Sequence, residues 1–482
     1  MKKMNLLVMS LVSAAALSFT SCSSNDDLAG NAGQAKVDQF YMTLTIQTPN
    51  SNGTRTVVNK PTVDATAAES DVTSGTFYLV DANNKIVFKK SISKEEWAEK
   101  KIPTQGTNGK TTLQVPVENV TAGTKYSVYF LANSESASPL TDVYTSDLAN
   151  KFAKAYSTAN NFAMFNENDA DVKANSHTVV FTSDNKDANS AAKVSSIINI
   201  ERLTARIDEP KSEASVIKPY AVDATASDEE KKANADAVKA VKGVTLTKYA
   251  ISNVANKTNV MQQWTDATTL SIPTGITYFQ PTSEFGTKTL LQNYGYFNAV
   301  TTDKSQKDYV FENNSANAAT SIYFEYKVEL SDKYKTNADF EDGTFYRYNK
   351  VIYSRIQDII DAYKDQKAIF DGKDASTVIA ELTAAKNDTT DPEAKLDEFR
   401  KKYDIEVFNA GKTYYVQKIQ DQYLGVANTI QRNSIYLLNV KNIFNVGAQV
   451  PNGGPDDRTL YYLDVEVSVN PWVLNNQDVD LQ

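Results

Sequence analysis

The fold is indicated by an alternating run near the N-terminus, Phe40-Tyr41-Met42-Thr43-Leu44-Thr45-Ile46. Successive side chains of a β-strand point to opposite faces, so the apolar residues of this run would share one face. They are Phe40, Met42, Leu44 and Ile46. This period of two is typical of a strand that is buried on one side.

The same alternation recurs along the chain and predicts a mainly β protein. Its clearest later examples are Ser321–Leu330 and the C-terminal run from Leu460 to Val469. Helical spacing interrupts the pattern, and we expect helices over Ser146–Tyr156, Val351–Phe370 and Ala375–Tyr403, the last with a break near Asp391-Pro392. A hairpin is predicted around Asn409-Ala410-Gly411, between residues 405–408 and 412–416.

The N-terminus has the features of an export signal. Lys2 and Lys3 precede an apolar stretch from Leu6 to Phe19, which is short for a membrane span. The stretch ends in Phe19-Thr20-Ser21-Cys22, which resembles a bacterial lipobox, where the cysteine receives lipid. We therefore expect lipidation (palmitate) at Cys22. The alternative interpretation is an ordinary secretory signal with an incidental cysteine.

Composition argues against most catalytic and nucleic-acid-binding classes. The 482 residues carry a formal charge of −9, with one cysteine and one histidine. An acidic chain of this kind does not favour nucleic acid. A cysteine-ligated zinc site, a two-histidine metal site and a disulfide framework are excluded by the counts. Common nucleotide-binding and hydrolase motifs are missing, and His177 is interpreted as flanking a strand. We therefore expect no enzyme activity, no catalytic residue, no metal and no cofactor.

Arginine is scarce, and its first occurrence is informative. Arg55 is followed by no other arginine before Arg202, and it ends the turn-rich stretch Pro49-Asn50-Ser51-Asn52-Gly53-Thr54. Turn-rich exposed loops are where proteases cut most easily. Cleavage between Arg55 and Thr56 would remove the 40–46 strand and leave an apolar groove with unpaired backbone groups.

Another chain's strand can fill such a groove by β-augmentation. The C-terminal segment has the required alternation and a free end, so it is the candidate donor. Its apolar residues are Leu463, Val465, Val467, Val469, Trp472, Val479 and Leu481.

Taken together, these features resemble the fimbrillins of Bacteroidales type V pili, in particular the shaft subunit of the minor fimbrium. The resemblance is carried by Cys22, by the Thr54-Arg55 loop, and by three further blocks: Lys125-Tyr126-Ser127-Val128-Tyr129-Phe130-Leu131-Ala132-Asn133, Arg432-Asn433-Ser434-Ile435-Tyr436 with Asn439-Val440, and Leu463-Asp464-Val465-Glu466-Val467-Ser468-Val469-Asn470-Pro471-Trp472. Residues 208–320 and 364–403 match it only loosely. The residue after Arg55 is Thr56, which departs from the family's pattern.

The resemblance implies two transthyretin-like β-sandwich domains with a few inserted helices. The expected order is a signal peptide at 1–21, a propeptide with the removable strand at 22–55, an N-terminal domain at 56–206 and a C-terminal domain at 207–482. It also implies an outer-membrane lipoprotein precursor, an Arg-specific surface protease, and donor-strand polymerisation into an adhesive surface fimbrium. The partners would be other copies of the chain and the anchor and tip pilins.

Two alternatives to a shaft subunit remain open. The chain would otherwise be a related anchor or tip subunit, or a surface lipoprotein that binds glycans through aromatic side chains. The aromatic runs are Tyr278-Phe279, Tyr294-Gly295-Tyr296-Phe297 and Phe345-Tyr346-Arg347-Tyr348. Because Tyr and Phe also favour strands and fill sandwich cores, we interpret these runs as core residues.

Overall fold

A computed structural model describes most of the chain between residues 39 and 473. The described residues are 17–18, 39–48, 63–64, 66–103, 109–133, 140, 147–148, 156–168, 177–221, 225–266, 268–279, 297–365, 369–421, 424, 426–451 and 463–473.

The described residues contain more β-strand than helix, which confirms the predicted mainly β fold class. The strands of the first half are β1 (Leu17–Ser18), β2 (Phe40–Gln47), β3 (Val63–Asp64), β4 (Gly75–Val80), β5 (Ile86–Ile92), β6 (Lys110–Val117), β7 (Lys125–Ala132), β8 (Asp147–Leu148), β9 (Ser157–Thr158), β10 (Asn161–Phe162), β11 (Met164–Asn166), β12 (Thr178–Val180), β13 (Ala192–Lys193) and β14 (Ile198–Arg202). Those of the second half are β15 (Ala205–Asp208), β16 (Lys211–Ser212), β17 (Val241–Ser252), β18 (Val254–Ala255), β19 (Thr258–Asn259), β20 (Tyr278–Phe279), β21 (Asn298–Ala299), β22 (Lys307–Val310), β23 (Ser321–Leu330), β24 (Phe345–Tyr348), β25 (Val351–Tyr353), β26 (Glu406–Phe408), β27 (Lys412–Lys418), β28 (Ser434–Ile443) and β29 (Leu463–Val473).

The α-helices of the described residues are short. They are α1 (Lys94–Glu99), α2 (Asp228–Ala240), α3 (Asp332–Lys335), α4 (Ile356–Tyr363), α5 (Ala375–Lys386) and α6 (Pro392–Tyr403). The described residues also include single turns of 3-10 helix at Ala67–Glu69, Ser183–Lys186, Ala188–Ser190, Phe370–Gly372 and Asn409–Gly411.

The chain divides into two compact units. Unit 1 consists of Met1–Thr204, Thr258–Pro273 and Pro471–Gln482, and unit 2 of Ala205–Lys257 and Thr274–Asn470. The main path of the unit 1 sheet runs β1-β6-β2-β14-β11-β7-β4-β5, with β12 on β7 and β13 on β2. Its interior contains aromatic pairs, among them Phe77 stacked on Phe130 and Tyr129 stacked on Phe165.

Unit 2 is built from two sheets and a helical insertion. One sheet has the order β21-β17-β23-β27, and the other contains β22-β15-β28-β29 with β16 also on β28. Buried residues of β15 and β28 from one sheet and of β17 and β23 from the other form a common core, as in a β-sandwich. Helices α4, α5 and α6 pack with strands β24, β25 and β26 around a separate apolar core.

Three local expectations are wrong. Residues 351–353 form strand β25 and not the start of a helix, since Asn349 and Lys350 at φ 46° and 66° make a two-residue turn that pairs β25 with β24. Strands β26 and β27 do not form a hairpin, because β26 pairs with β24 and β27 with β23. The expected helix at 146–156 contains strand β8, which pairs with β19.

Candidate functional site

Strand β2 occupies an interior position in the unit 1 sheet. On one side all eight of its residues pair antiparallel with β6, from Phe40 opposite Val117 to Gln47 opposite Lys110. On the other side it runs parallel to β14, with Ile46 opposite Ile198, and to β13. Both edges of the strand are therefore used for backbone pairing, as in a central strand.

One face of β2 is almost completely buried. Phe40, Met42, Leu44 and Ile46 are each at most 3% exposed, and Thr48 continues the same face. The alternating residues Tyr41, Thr43, Thr45 and Gln47 are half-buried. Burial of a large apolar side chain is worth about 1.5–3 kcal/mol, so each of the four apolar residues contributes on that scale.

Specific contacts hold both ends of β2. Phe40 packs edge-on against Phe181, with ring centroids 5.6 Å apart, and the Lys186 ammonium lies 5.5 Å from the Phe40 ring. At the other end, the Thr48 backbone N–H donates to the Gly109 carbonyl at 3.0 Å. Neither Phe181 nor Gly109 was singled out from the sequence, because nothing in the local pattern shows which loops close over a strand.

The central part of β2 is hydrogen-bonded outside the ladder as well. The Thr45 and Thr112 hydroxyls lie 2.8 Å apart across the β2–β6 pair. On the opposite edge, the Val194 N–H donates to the Thr43 carbonyl at 3.0 Å. Loss of β2 would therefore leave unpaired groups on β6 and on the 192–199 segment, as well as an apolar slot.

Residues 463–470 of the predicted donor segment lie in the second sheet of unit 2. Strand β29 is adjacent to β28, Val465 packs against the unit 2 core, and the Asn442 amide donates to the Asp464 carboxylate at 2.8 Å. Leu463, Val467, Val469 and Trp472 lie in β29, whose far end pairs parallel with β3. Val479 and Leu481 lie outside the described residues.

The Arg432–Tyr436 block forms the buried entry to β28. Arg432 is fully buried and its guanidinium donates to Glu312 at 2.8 Å. Asn433 adopts φ 54°, a left-handed conformation that asparagine tolerates, and the Tyr436 hydroxyl accepts from the Gln431 N–H at 2.8 Å. The sequence block quoted for the fimbrillin resemblance thus has a structural role in starting β28.

The remaining predicted positions are Cys22, Arg55, Thr56 and His177. Cys22, Arg55 and Thr56 lie outside the described residues. His177 is buried before β12, with Nδ1 2.9 Å from the Ser196 hydroxyl, and burial lowers the pKa of its imidazole.

Within the described part of the chain, no group of three or more His, Cys, Asp or Glu side chains is arranged to hold a metal ion. In the same residues, no helix is both long and apolar enough to cross a membrane.

The aromatic runs are partly accounted for by the core. Phe345 and Tyr346 are completely buried, and Phe345 stacks on Phe408 with ring centroids 4.5 Å apart. Residues 294–296 lie outside the described residues. The described residues of the 345–348 run therefore pack inward at their first two positions, as interpreted from the sequence.

Comparison with known families gives a match for the C-terminal part of the chain. Residues 406–478 match the family model described as "Major fimbrial subunit protein type IV, Fimbrillin, C-terminal". The predicted fimbrillin resemblance is confirmed. The matched fimbrillin region contains β26 to β29, including the Arg432–Tyr436 block and the candidate donor strand. No curated protein matches the sequence.

Several solved structures resemble this chain at low identity. A fimbrilin (fimA) from Porphyromonas gingivalis W83 is 14% identical, with a TM-score of 0.45, over 92% of this chain and 99% of that one. A fimbrial assembly protein from Parabacteroides distasonis is 13% identical, with a TM-score of 0.33, over 61% and 85%. The fimbrial anchor protein Mfa2 from Porphyromonas gingivalis is 9% identical, with a TM-score of 0.28, over 90% and 99%. Because these TM-scores are below 0.5, the likeness to fimbrillins rests on the match of residues 406–478.

Proposed function

We propose that the chain is a structural subunit of a cell-surface fimbrium that polymerises by exchange of strand β2. In this proposal the precursor is exported as a lipoprotein on Cys22 and cleaved after Arg55. Cleavage releases β2, and the C-terminal segment of another copy takes its place. The observation that carries the proposal is the position of β2, which is central in its sheet although it lies upstream of the cleavage site.

The vacated slot would select its occupant by direction and by side-chain period. An entering strand that reproduces the pairing of β2 runs antiparallel to β6 and parallel to β14. It also presents apolar side chains at alternate positions, spaced as Met42, Leu44 and Ile46 are. The alternating residues of β29 meet the second requirement.

The C-terminal segment would have to exchange its own contacts for those of the slot. In the isolated chain β29 lies beside β28, with Val465 against the unit 2 core. An uncleaved subunit therefore has both strands in place, and this arrangement favours a precursor that stays monomeric. Cleavage after Arg55 would allow β2 to leave its sheet and would not alter the contacts that β29 makes within its own chain.

The proposal can be tested with three precursors that differ at one point each. They are the otherwise unchanged chain (the wild type below), Arg55→Lys, and a chain ending at residue 462, and all three carry Arg458→Lys so that the protease does not cut just before the C-terminal segment. Each is treated with an arginine-specific endoprotease and examined by denaturing gel, electron microscopy and N-terminal mass spectrometry. We expect filaments with chains beginning at Thr56 from the wild type alone.

The controls distinguish the cleavage step from donation of the C-terminal strand to another copy. Arg55→Lys keeps the charge but removes the cleavage site, so it should stay monomeric and uncut. The truncated chain should be cut and remain monomeric. Filaments containing chains that begin at Cys22, or filaments from the truncated chain, would show that this mechanism is wrong. An anchor would instead retain its lipid and occur once per filament.

A further inference from the structure

The arginines of the folded body are placed differently from its lysines. Eight arginines occur in the chain, and six of them lie in the described residues. Five of these six have side chains that are at most 11% exposed: Arg202, Arg206, Arg347, Arg400 and Arg432. Lysine makes exposed ion pairs of the described chain, for example Lys242 with Glu329 and Lys350 with Glu229.

From this placement we infer that the fold protects these six arginines from the processing protease, so that of the six and Arg55 only Arg55 is cut in the folded chain. The inference rests on the proposed function, in which an arginine-specific enzyme cuts after Arg55. A protease of this kind binds its substrate as an extended strand and needs several accessible residues around the arginine. An arginine held in a paired strand or a packed helix is cut only after local unfolding.

In unit 1 the protected arginine is Arg202 at the end of β14. Its side chain donates to the Glu69 carbonyl and to the Ser70 hydroxyl, both at 2.7 Å, and its backbone lies opposite Met164 in the β11–β14 ladder. Cleavage here would require separation of two paired strands and exposure of a buried guanidinium.

In unit 2 three arginines are held by carboxylates. Arg206 contacts Asp208 through two nitrogens, at 2.6 and 3.1 Å, and lies in β15 between β22 and β28. Arg347 in β24 makes two bonds to Glu406 and donates to the carbonyls of Val446 and Gly447. Arg432 pairs with Glu312. The planar guanidinium suits these forked contacts better than an ammonium does, which gives arginine a structural reason to be here.

Helix α6 holds the fifth arginine. Arg400 is 4% exposed and donates to the Val407 carbonyl at 2.8 Å. A helical backbone cannot enter an extended-strand cleft without unwinding, so Arg400 is protected by its secondary structure as well as by burial.

Among the six described arginines, Arg355 has the most exposed side chain. Its two neighbours in the chain are instead fixed by backbone hydrogen bonds. The side chain is 38% exposed and lies 3.6 Å from Asp358. On its two sides, the Asp339 N–H donates to the Ser354 carbonyl at 3.0 Å, and the Ile356 N–H donates to the Asp339 carboxylate at 2.7 Å. Ile356 itself is fully buried at the start of α4. Asp339 is therefore hydrogen-bonded to both residues that flank Arg355.

The first test is limited digestion of the folded chain with a purified arginine-specific endoprotease. The chain carries Arg458→Lys, because Arg458 lies outside the described residues. Digestion then reports only on Arg55 and on the six described arginines. Fragments are identified by mass spectrometry beside a heat-unfolded sample. We expect one cut, after Arg55, in the folded sample and cuts at all seven remaining arginines in the unfolded one.

The possible results separate this inference from the proposed processing. An intact Arg55 with the other arginines also intact would contradict the proposed processing and still support protection by the fold. Cuts in the folded sample after any of the six described arginines, at rates close to those of the unfolded sample, would overturn the inference whatever happens at Arg55.

The second test uses Asp339→Ala, with Asp358→Asn as the matched control. The readout is the rate of cleavage after Arg355 divided by the rate after Arg432 in the same digest. General unfolding of unit 2 would raise both rates and leave this ratio unchanged. We expect Asp339→Ala to raise this ratio roughly tenfold or more, because a hydrogen bond to a carboxylate is lost on one flank. Asp358→Asn removes only the side-chain partner and should leave the ratio near the wild-type value. An unchanged ratio in Asp339→Ala would overturn the role of Asp339.

Discussion

The Phe40 ring packs edge-on against Phe181, with the two centroids 5.6 Å apart. Phe40 begins the strand that the sequence marks as removable, whereas Phe181 lies just after β12 in the part of the chain that would remain. The Tyr126 ring also lies near Phe181, with the two centroids 6.1 Å apart. Removal of β2 would therefore expose an aromatic surface on the retained body in addition to unpaired backbone groups on the neighbouring strands.

Truncation of a buried β2 side chain should destabilise the precursor. We expect Leu44→Ala to lower the free energy of unfolding by about 2–5 kcal/mol, because Leu44 is 2% exposed and a cavity would remain. Urea denaturation of the Arg55→Lys precursor measures this change with the leader retained. Thr43→Ala, on the half-buried face of the same strand, is the control, and an equal loss there would contradict the burial argument.

Removal of the acid that pairs with Arg432 should be costly. Glu312→Gln leaves the guanidinium in a site that is 0% exposed without its compensating charge. Loss of one partner of a buried ion pair typically costs about 3–5 kcal/mol. Glu329→Gln breaks the exposed Lys242–Glu329 pair and is the matched control, for which we expect a change below about 1 kcal/mol. Denaturant midpoints of the two variants decide between these expectations.

The α5–α6 pair should lose stability at acid pH through Glu381. The Lys373 ammonium, followed by the Tyr403 hydroxyl and the Lys402 ammonium, lowers the pKa of the Glu381 carboxyl to about 2. A carboxyl with a lower pKa in the folded state stabilises the fold above its unfolded pKa, and this stabilisation disappears as the pH falls towards 2.

The variant Glu381→Gln tests this pH dependence directly. It should be less stable than the wild type at pH 7, and the difference should shrink between about pH 4.5 and pH 2. Thermal unfolding followed by circular dichroism across this range measures the difference. A difference that does not change with pH would contradict the ionic contribution of Glu381.

One strand glycine is required by packing. A Cβ at Gly75 would collide with the Phe130 ring across the β4–β7 pair, whereas one at Gly243 would meet its nearest neighbour, the Ser215 carbonyl oxygen, at an ordinary 3.5 Å. We expect Gly75→Ala to destabilise the chain by about 1–3 kcal/mol through overpacking. Gly243→Ala should be neutral or slightly stabilising. Melting temperatures of the two variants compare these effects, and equal values would be inconsistent with the collision.

Local sequence patterns predicted the secondary structure correctly where a regular alternation extended over many residues. The alternation in 40–46 and 321–330 predicts strands β2 and β23, and Pro392 correctly marks the break before α6. They were insufficient where two short elements meet. The helical spacing of 351–370 conceals strand β25, because the hairpin depends on two left-handed residues that are not glycine. The 405–416 segment looks like a hairpin, but its strands pair with β24 and β23, which come earlier in the chain.

For the candidate site, the sequence by itself determined which face of residues 40–46 is apolar, because side-chain alternation is a local property of an extended backbone. It also determined how few arginines there are and placed Arg55 after a turn-rich stretch. Only the tertiary structure decided that β2 lies between β6 and β14, since strand pairing joins residues 63 to 152 positions apart in the chain. For the same reason, burial of the arginines and the two bonds of Asp339 around Arg355 became visible only in the folded chain, where neighbours are set by packing and not by sequence order.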